Sequence, residues 1–421
     1  MKIGYLSPGW PHENFPNGIV KYLDTITKEL DRQGHDCFVF SSNIYEKSKY
    51  PNVVDLSETR DHFKSSGVNK IIQKISNKLG LKNFSEKDES FVNNFAFDMR
   101  KLERKDSRDF DILEMEESFG WAEDVVNKIN VPVIVKLHGP WFLNGAALGV
   151  KKNKAFFKRI EAEGRGICAA AGIASPSKCV LEKVREYYGI ELPNAQVLPN
   201  PIVNVCEEKK WTFSSCKKNQ ILFIGRFDKL KGGDIVINAF NLVAKKNKQA
   251  KLVFAGPDRG VKDGGHSMTI KEYIDRTIKD TGIKDRIRYL GQISSSEANQ
   301  LRKESHVTIM ASRWENFANT VTEALAVGCP TVGTESGGTP EIIKNNETGL
   351  LVKVDDSIDL AEKISLVLGD SKLAIKLSKN AATDVEKRFG SRRIAIETLN
   401  YYGDIIKNTN GNGNGNGNIA V

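Results

Sequence analysis

The stretch 307–343, VTIMASRWENFANTVTEALAVGCPTVGTESGGTPEII, decides how the rest of the chain is read. Val307 to Ala311 is a short apolar run and reads as a buried strand. A polar loop, Ser312 to Asn319, follows. Thr320 to Val327 reads as a short helix, with Asn319 or Thr320 as its cap and Gly328 just past its end. Pro330 to Gly333 is the next strand. Gly337-Gly338 makes a second tight loop, and Thr339-Pro340-Glu341 reads as a cap, Pro at the first helical position and a first-turn acid. Both loops lie between a strand end and a helix start, where open α/β sheets bind ligands. Glu315 falls in the first loop and Glu323 in the first turns of the helix. A helix N-terminus offers free N–H groups and a positive dipole end, so it favours an anion. An acid on either side can accept hydrogen bonds from hydroxyls. A sugar joined through a diphosphate to a ribose fits such a site.

A chain of 421 residues suits two domains. Its 40% hydrophobic and 27% charged content is that of a globular protein. No apolar run approaches the ~20 residues that a membrane span needs. The first residues, MKIGYLSPGW, read straight into a strand without the apolar core of a signal peptide, so a cytoplasmic location is expected. The six cysteines show no metal-type spacing and read as reduced thiols. A net charge of +9 suggests anionic partners. No helix-turn-helix, zinc-finger or RNP pattern accompanies it, which sets nucleic acid behind phosphorylated substrates and acidic lipid.

Outward from the opening stretch, strand, loop and helix recur. Residues 2–8 are a strand, Gly9 to Pro16 a loop, and Gly18 to Leu30 a helix with Ile19, Tyr22, Leu23, Ile26 and Leu30 on one face. No G-x-G-x-x-G is present, which argues against a dinucleotide site. Cys37 to Ser41 is the second strand, and regularity then breaks down over about 45–110. Inside that insertion, 67–83 has an apolar face (Val68, Ile71, Ile72, Ile75, Leu79) and a basic one (Lys70, Lys74, Lys78). It reads either as a surface helix packed on its own domain or as one lying on an anionic membrane. Asp109-Phe110-Asp111 precedes a strand rather than ending one, so it reads as solvated turn and not as a metal site. Glu114, Glu116 and Glu117 read as surface charge at the edge of the site. A buried strand over 132–141 ends in His138-Gly139, where a parallel strand delivers a side chain to a cleft. Helices are expected over 151–165 and 176–188, with strands over 167–175 and 196–202. The second half restarts at 219–240 with Arg226, Lys231 and Gly232-Gly233 between strand and helix. Cations there suit phosphate oxygens. Repeated βα units imply a doubly wound parallel sheet in each half. Residues 385–407 read as helix, and the Asn/Gly tail 408–421 as disordered.

WENFANTVTEALAVGCPTVGTESGGTPEII resembles the signature of the retaining glycosyltransferases of family four, which have the two-domain GT-B fold. The likeness covers about residues 1–405. Its departures are Asn316 and Ala318, where the family often has Gly. It implies an α/β chain of two Rossmann-like domains facing a cleft: an acceptor-side domain over 1–203, a nucleotide-sugar domain over 204–390, and a final helix, 391–407, crossing back to the first. It also implies roles. His138 and Glu315 face the donor sugar, Glu323 holds the ribose, and Arg226 and Lys231 grip the diphosphate beside the helix start at Asn319 and Thr320. Gly18 approaches the phosphates, or is only a helix-entry glycine. The implied reaction moves a sugar from a nucleotide diphosphate to an acceptor hydroxyl with retention, with no metal and no cofactor. The acceptor would be a glycan or a lipid-linked saccharide, with peripheral membrane contact if the basic helix reaches a bilayer. A nucleotide-sugar 2-epimerase of the same fold and a catalytically weak sugar-nucleotide-binding subunit are the alternatives.

Overall fold

A computed structural model describes residues 1–412 apart from 16, 47, 48, 50, 58–83, 264 and 265. The first half contributes β1 (Lys2–Leu6), β2 (Asp36–Ser41), β3 (Val53–Asp55), β4 (Ile112–Glu116), β5 (Val133–Lys136), β6 (Gly172–Ser175) and β7 (Ala195–Val197). They form a parallel sheet in the order β3-β2-β1-β4-β5-β6-β7. The second half contributes β8 (Lys217–Ile224), β9 (Lys251–Ala255), a small hairpin of β10 (Val261–Asp263) and β11 (His266–Met268), then β12 (Ile287–Tyr289), β13 (Ser305–Met310), β14 (Thr331–Thr334) and β15 (Leu350–Val352). Its parallel sheet runs β12-β9-β8-β13-β14-β15. Strand order reverses between β1 and β4 and between β8 and β13. At such a break, neighbouring strands send their following loops to opposite faces and leave a crevice.

These strands read as apolar runs because helices cover both faces of each sheet. β13 is buried along its whole length. In β1, Ile3 and Tyr5 enter one core cluster and Leu6 the other. The Gly18–Arg32 helix buries Val20, Leu23, Ile26 and Leu30, and the Asn17 side chain accepts from the Ile19 N–H at 2.8 Å to start it. Two clusters, one centred on Ile221, Phe240 and Phe254 and the other on Met310, Leu325 and Phe389, fill the second domain.

Several elements differ from the sequence reading. The segment 45–110, expected to be irregular, contains β3 and a long helix, Phe84–Asp106. Val92, Phe95, Ala96 and Met99 are its buried face. Buried Asn94 and Asp98 interrupt that stripe and weaken its signal. The basic helix read at 67–83 lies outside the described residues. An unforeseen short helix, Trp141–Ala147, follows the His138 strand, and the Lys154–Ala169 helix takes in the first residues expected in β6. The C-terminal end forms two helices, Ser371–Phe389 and Ser391–Asn412, broken at Gly390. There Ile202 pairs with the chain: its N–H donates to Phe389 O at 2.8 Å, and its carbonyl accepts from Ser391 N at 3.0 Å. The last helix lies on the first domain, with Ile394, Tyr402 and Ile405 in the same cluster as Ile3 and Leu23. Residues 408–412, read as disordered, continue this helix, and 413–421 lie outside the described residues. Among the described residues no helix is long and apolar enough to cross a membrane.

Candidate active site

The loops after β8, β13 and β14 converge. Arg226 and Lys231 stand in the loop after β8, organised by Asp228. One Asp228 oxygen accepts from Arg226 Nε at 2.6 Å and the other from the Lys231 N–H at 2.7 Å. The Lys231 ammonium reaches across to Glu315 Oε1 at 2.6 Å, and Ser312 Oγ donates to the same oxygen at 2.6 Å. Close approach of the loops rests on two glycines with positive φ. A Cβ on Gly232 (φ 68°) would lie 1.9 Å from Ala311 O, and one on Gly337 (φ 53°) 1.9 Å from Glu315 O. No other residue fits either place without moving backbone.

Glu323 has a different environment. Lys21 of the first domain and Arg302 of the second both bond its carboxylate. Burial alone would raise this carboxyl, but the Arg302 and Lys21 charges outweigh it and hold the group below the ordinary glutamate range. The helix that carries Glu323 is Asn319–Val327. It starts after Ala318 with no side-chain cap, where the sequence suggested Asn319 or Thr320. Among the described residues no side-chain oxygen accepts from its first-turn N–H groups; Asn319 N donates to Phe317 O and Val321 N to Ala318 O, at 2.9 Å each. Asn319 instead turns to the first domain, accepting from Asn200 Nδ2 at 3.1 Å. A Cβ on Gly18 would sit 3.2 Å from its amide nitrogen. Thr320 is half-buried beside it. Gly328 closes the helix in the left-handed region, as read.

The first domain presents His138 opposite this loop. The His138 ring packs 5.2 Å from Tyr22, and among the described residues it makes no side-chain hydrogen bond that would fix its orientation. Burial, helped by the nearby Lys136 charge, pushes its pKa well below the ordinary imidazole value, so the ring is neutral. Its backbone is held by Glu117, whose two oxygens accept from His138 N at 2.8 Å and Gly139 N at 2.6 Å. Asn316, one of the departures from the family pattern, spans the domains. Its Nδ2 donates to His138 O at 3.1 Å and to Asn144 Oδ1 at 2.9 Å, while its carbonyl accepts from Ser177 Oγ at 2.9 Å. Glu341 adds a second bridge, accepting from Lys178 N and Cys179 N at 2.8 Å each.

The reading of Glu114, Glu116 and Glu117 as surface charge is corrected. Glu114 and Glu117 are buried, because β4 is central and its end lies under the β5 loop. Glu114 accepts from Tyr22 and Tyr402 at 2.8 Å each, and Glu116 is half-buried. Asp109 and Asp111 are exposed at the start of β4, at the opposite sheet edge from the cleft, and Asp111 accepts from the Lys2 N–H at 2.7 Å. Lys21 and Arg302 escaped the sequence reading. Neither lies in a motif, and each meets Glu323 only through the fold.

Two sequence families match the chain in order. Glycosyltransferase Family 4 matches residues 16–203, and Glycosyl transferases group 1 matches 207–384. An uncharacterized glycosyltransferase of Methanocaldococcus jannaschii is 27% identical over 241 residues, 55% of this chain and 59% of that protein. The N-acetyl-alpha-D-glucosaminyl L-malate synthase of Bacillus anthracis is 28% identical over 201 residues, 48% of this chain and 49% of that protein. The D-inositol 3-phosphate glycosyltransferase of Paenarthrobacter aurescens is 26% identical over 289 residues, 66% and 68% of the two chains. The chain thus spans about half to two thirds of the length of these curated relatives. Among solved structures, a sucrose-phosphate synthase from Thermosynechococcus elongatus superposes with a TM-score of 0.71 at 17% identity, over 97% of this chain and 100% of that one. HepE of Anabaena in complex with UDP-glucose gives 0.67 at 16%, over 95% and 99%. These likenesses establish a common fold.

Proposed function

The chain belongs to the group 1 glycosyl transferases and has the GT-B fold, and from that premise we propose that it moves a sugar from a nucleotide diphosphate onto an acceptor hydroxyl, with retention and without a metal. One observation supports the reading: the loop of Arg226, Asp228 and Lys231 meets Glu315, and the Asn319–Val327 helix that follows Glu315 starts without a side-chain cap and carries Glu323. The barrier in such a transfer is departure of the diphosphate from an oxocarbenium-like carbon. Fixed cations and N–H dipoles stabilise the charge that grows on the leaving group. Glu323 would take ribose hydroxyls. Glu315, with the neutral His138, would orient the sugar. The leaving phosphate would accept the acceptor's proton, since no side chain stands out as nucleophile. Bridges such as Asn316 to His138 fit a closed cleft that excludes water. We place the reaction in polysaccharide or glycolipid assembly at the cytoplasmic side of a membrane, with a glycan or lipid-linked saccharide as acceptor.

The test is a panel of UDP, GDP and ADP sugars, read first by thermal shift, because a ligand bound only by the folded chain raises the melting point. The donor that shifts it is then incubated alone in EDTA. Slow hydrolysis to the free sugar with retained anomeric configuration is the expected result. An epimerised nucleotide sugar would make the chain an isomerase, and a donor left intact would make it a binding subunit. Activity that EDTA abolishes and Mg²⁺ or Mn²⁺ restores would remove the metal-free part of the reading.

A further inference from the structure

Residues 148–158, LGVKKNKAFFK, lie on the first domain and take no part in the cleft. Leu148, Val150 and Phe157 are 45%, 38% and 45% exposed. Single exposed apolar residues are ordinary, but here three fall between positions 148 and 157. Four lysines, Lys151, Lys152, Lys154 and Lys158, are interleaved with them, all exposed, and no acid occurs before Glu161.

The segment is held in shape from below. Val150 N–H donates to Gly145 O at 3.0 Å, and the Asn153 side chain caps the next helix by accepting from Phe156 N at 3.0 Å. Phe156 is buried with its ring 6.4 Å from that of Trp141. The next residue, Phe157, is rotated by about 100° and faces out. Lys154, Phe157 and Lys158 share this outer helical face. Phe157 also lines, with Glu161, Arg165 and Tyr187, a hollow of about 520 Å³. The patch adjoins the cleft: the Trp141–Ala147 helix separates them, and its Asn144 touches Asn316.

Apolar side chains that can enter a headgroup layer, ringed by cations that meet phosphates, match the chemistry of an anionic bilayer surface. A nucleic-acid backbone would use the lysines and leave the apolar residues in water. We propose that the 148–158 surface docks this domain on an anionic lipid bilayer, with Leu148, Val150 and Phe157 in the headgroup layer and the four lysines on lipid phosphates. Docking there would bring the cleft beside a membrane-borne acceptor, but the docking itself does not depend on the transferase reading.

The experiment is co-sedimentation of the full chain with vesicles of phosphatidylglycerol and phosphatidylcholine in equal parts, and with phosphatidylcholine alone. The parent is expected to bind the anionic vesicles at low salt, to release at high salt, and to ignore the neutral ones. Exchanging all four lysines for Gln should lower partitioning by on the order of a thousandfold. Leu148→Ser with Phe157→Ser should also weaken it. Because every changed side chain is exposed, both variants should melt with the parent. Lys70→Gln, Lys74→Gln and Lys78→Gln together should leave binding unchanged. The proposal fails if the parent does not sediment with anionic vesicles or binds neutral ones equally well. It also fails if the four-lysine variant binds like the parent, or if the serine pair does, which would leave a plain polyanion site. Loss of binding in the Lys70, Lys74 and Lys78 variant would move the docking surface elsewhere. No outcome requires sugar transfer, so failure here leaves the enzymatic reading standing.

Discussion

Glu315 and Glu323 sit close in sequence but have unlike surroundings, and the difference sets how each can be probed. Glu315 shares an oxygen with Lys231 and Ser312, so the lysine that would meet a diphosphate is already part of a charge pair. Glu323 is the counterion of Arg302, whose side chain is only 2% exposed. Removing one member of a buried pair leaves the other uncompensated and costs about 3–5 kcal/mol. Glu323→Ala should therefore lower the unfolding midpoint in urea markedly, apart from any effect on ligands. Glu323→Gln keeps the size but sets an NH2 donor against Lys21 or Arg302 and removes their counter-charge, so its nucleotide affinity is read beside its own urea midpoint. It should fold and lose affinity for free UDP or whichever nucleotide shifts the parent. Glu315→Gln should retain that affinity and lose turnover. Equal loss of nucleotide binding in the two Gln variants would contradict the division between ribose and sugar. The two glutamates were legible because they stand in one motif. Lys21 was not, because it reaches Glu323 from 302 positions away.

At the scale of elements, the end of β4 carries a device that the sequence reading took for surface charge. Glu117 receives two backbone N–H groups from the loop after β5 and thereby sets where His138 stands. Burial, with the charges of Glu163 and Glu116, raises its carboxyl to about 8 from the ordinary 4.5. The folded state then binds a proton that the unfolded chain has released. Its contribution to stability is full below about 4.5 and is lost as pH rises through about 8. Urea midpoints between pH 6 and 9 should fall for the parent more steeply than for Glu117→Gln, which has no such proton to lose. Parallel slopes would mean that Glu117 titrates normally. Strand placement was readable from apolar runs bounded by turn residues. That β4 lies between β1 and β5, and so buries its carboxylates, is a matter of strand order, which no local pattern encodes.

The whole molecule is closed by its last helix. Tyr402 donates to Glu114 at 2.8 Å, Tyr401 to Asn194 O at 2.6 Å, and both come from the far end of the chain to meet the first domain. Glu114 is buried, and its carboxyl is raised by that burial against the opposing pull of Lys136, so each hydroxyl that it accepts from counts. Tyr402→Phe keeps the ring and deletes one donor, which should cost about 1–3 kcal/mol. Chemical denaturation should show this as a lower midpoint with an unchanged slope. A midpoint equal to the parent's would mean that the helix is held by its apolar face alone.

The sequence by itself determined the class of the protein: two doubly wound halves, a restart at residue 219, glycines where loops meet, and the glutamate pair with its neighbouring cations. Those features are local. Periodicity, caps and motif spacing act over a few residues and can be read from them. Only the tertiary structure decided that Glu323 is a bridge between domains, that Glu117 lies beneath His138, that Asn316 spans the cleft, and that Tyr402 reaches Glu114. Each of these joins groups separated by tens to hundreds of positions. Their chemistry comes from burial and from the charge of the facing neighbour, quantities that exist only once the sheets have set which strand lies beside which.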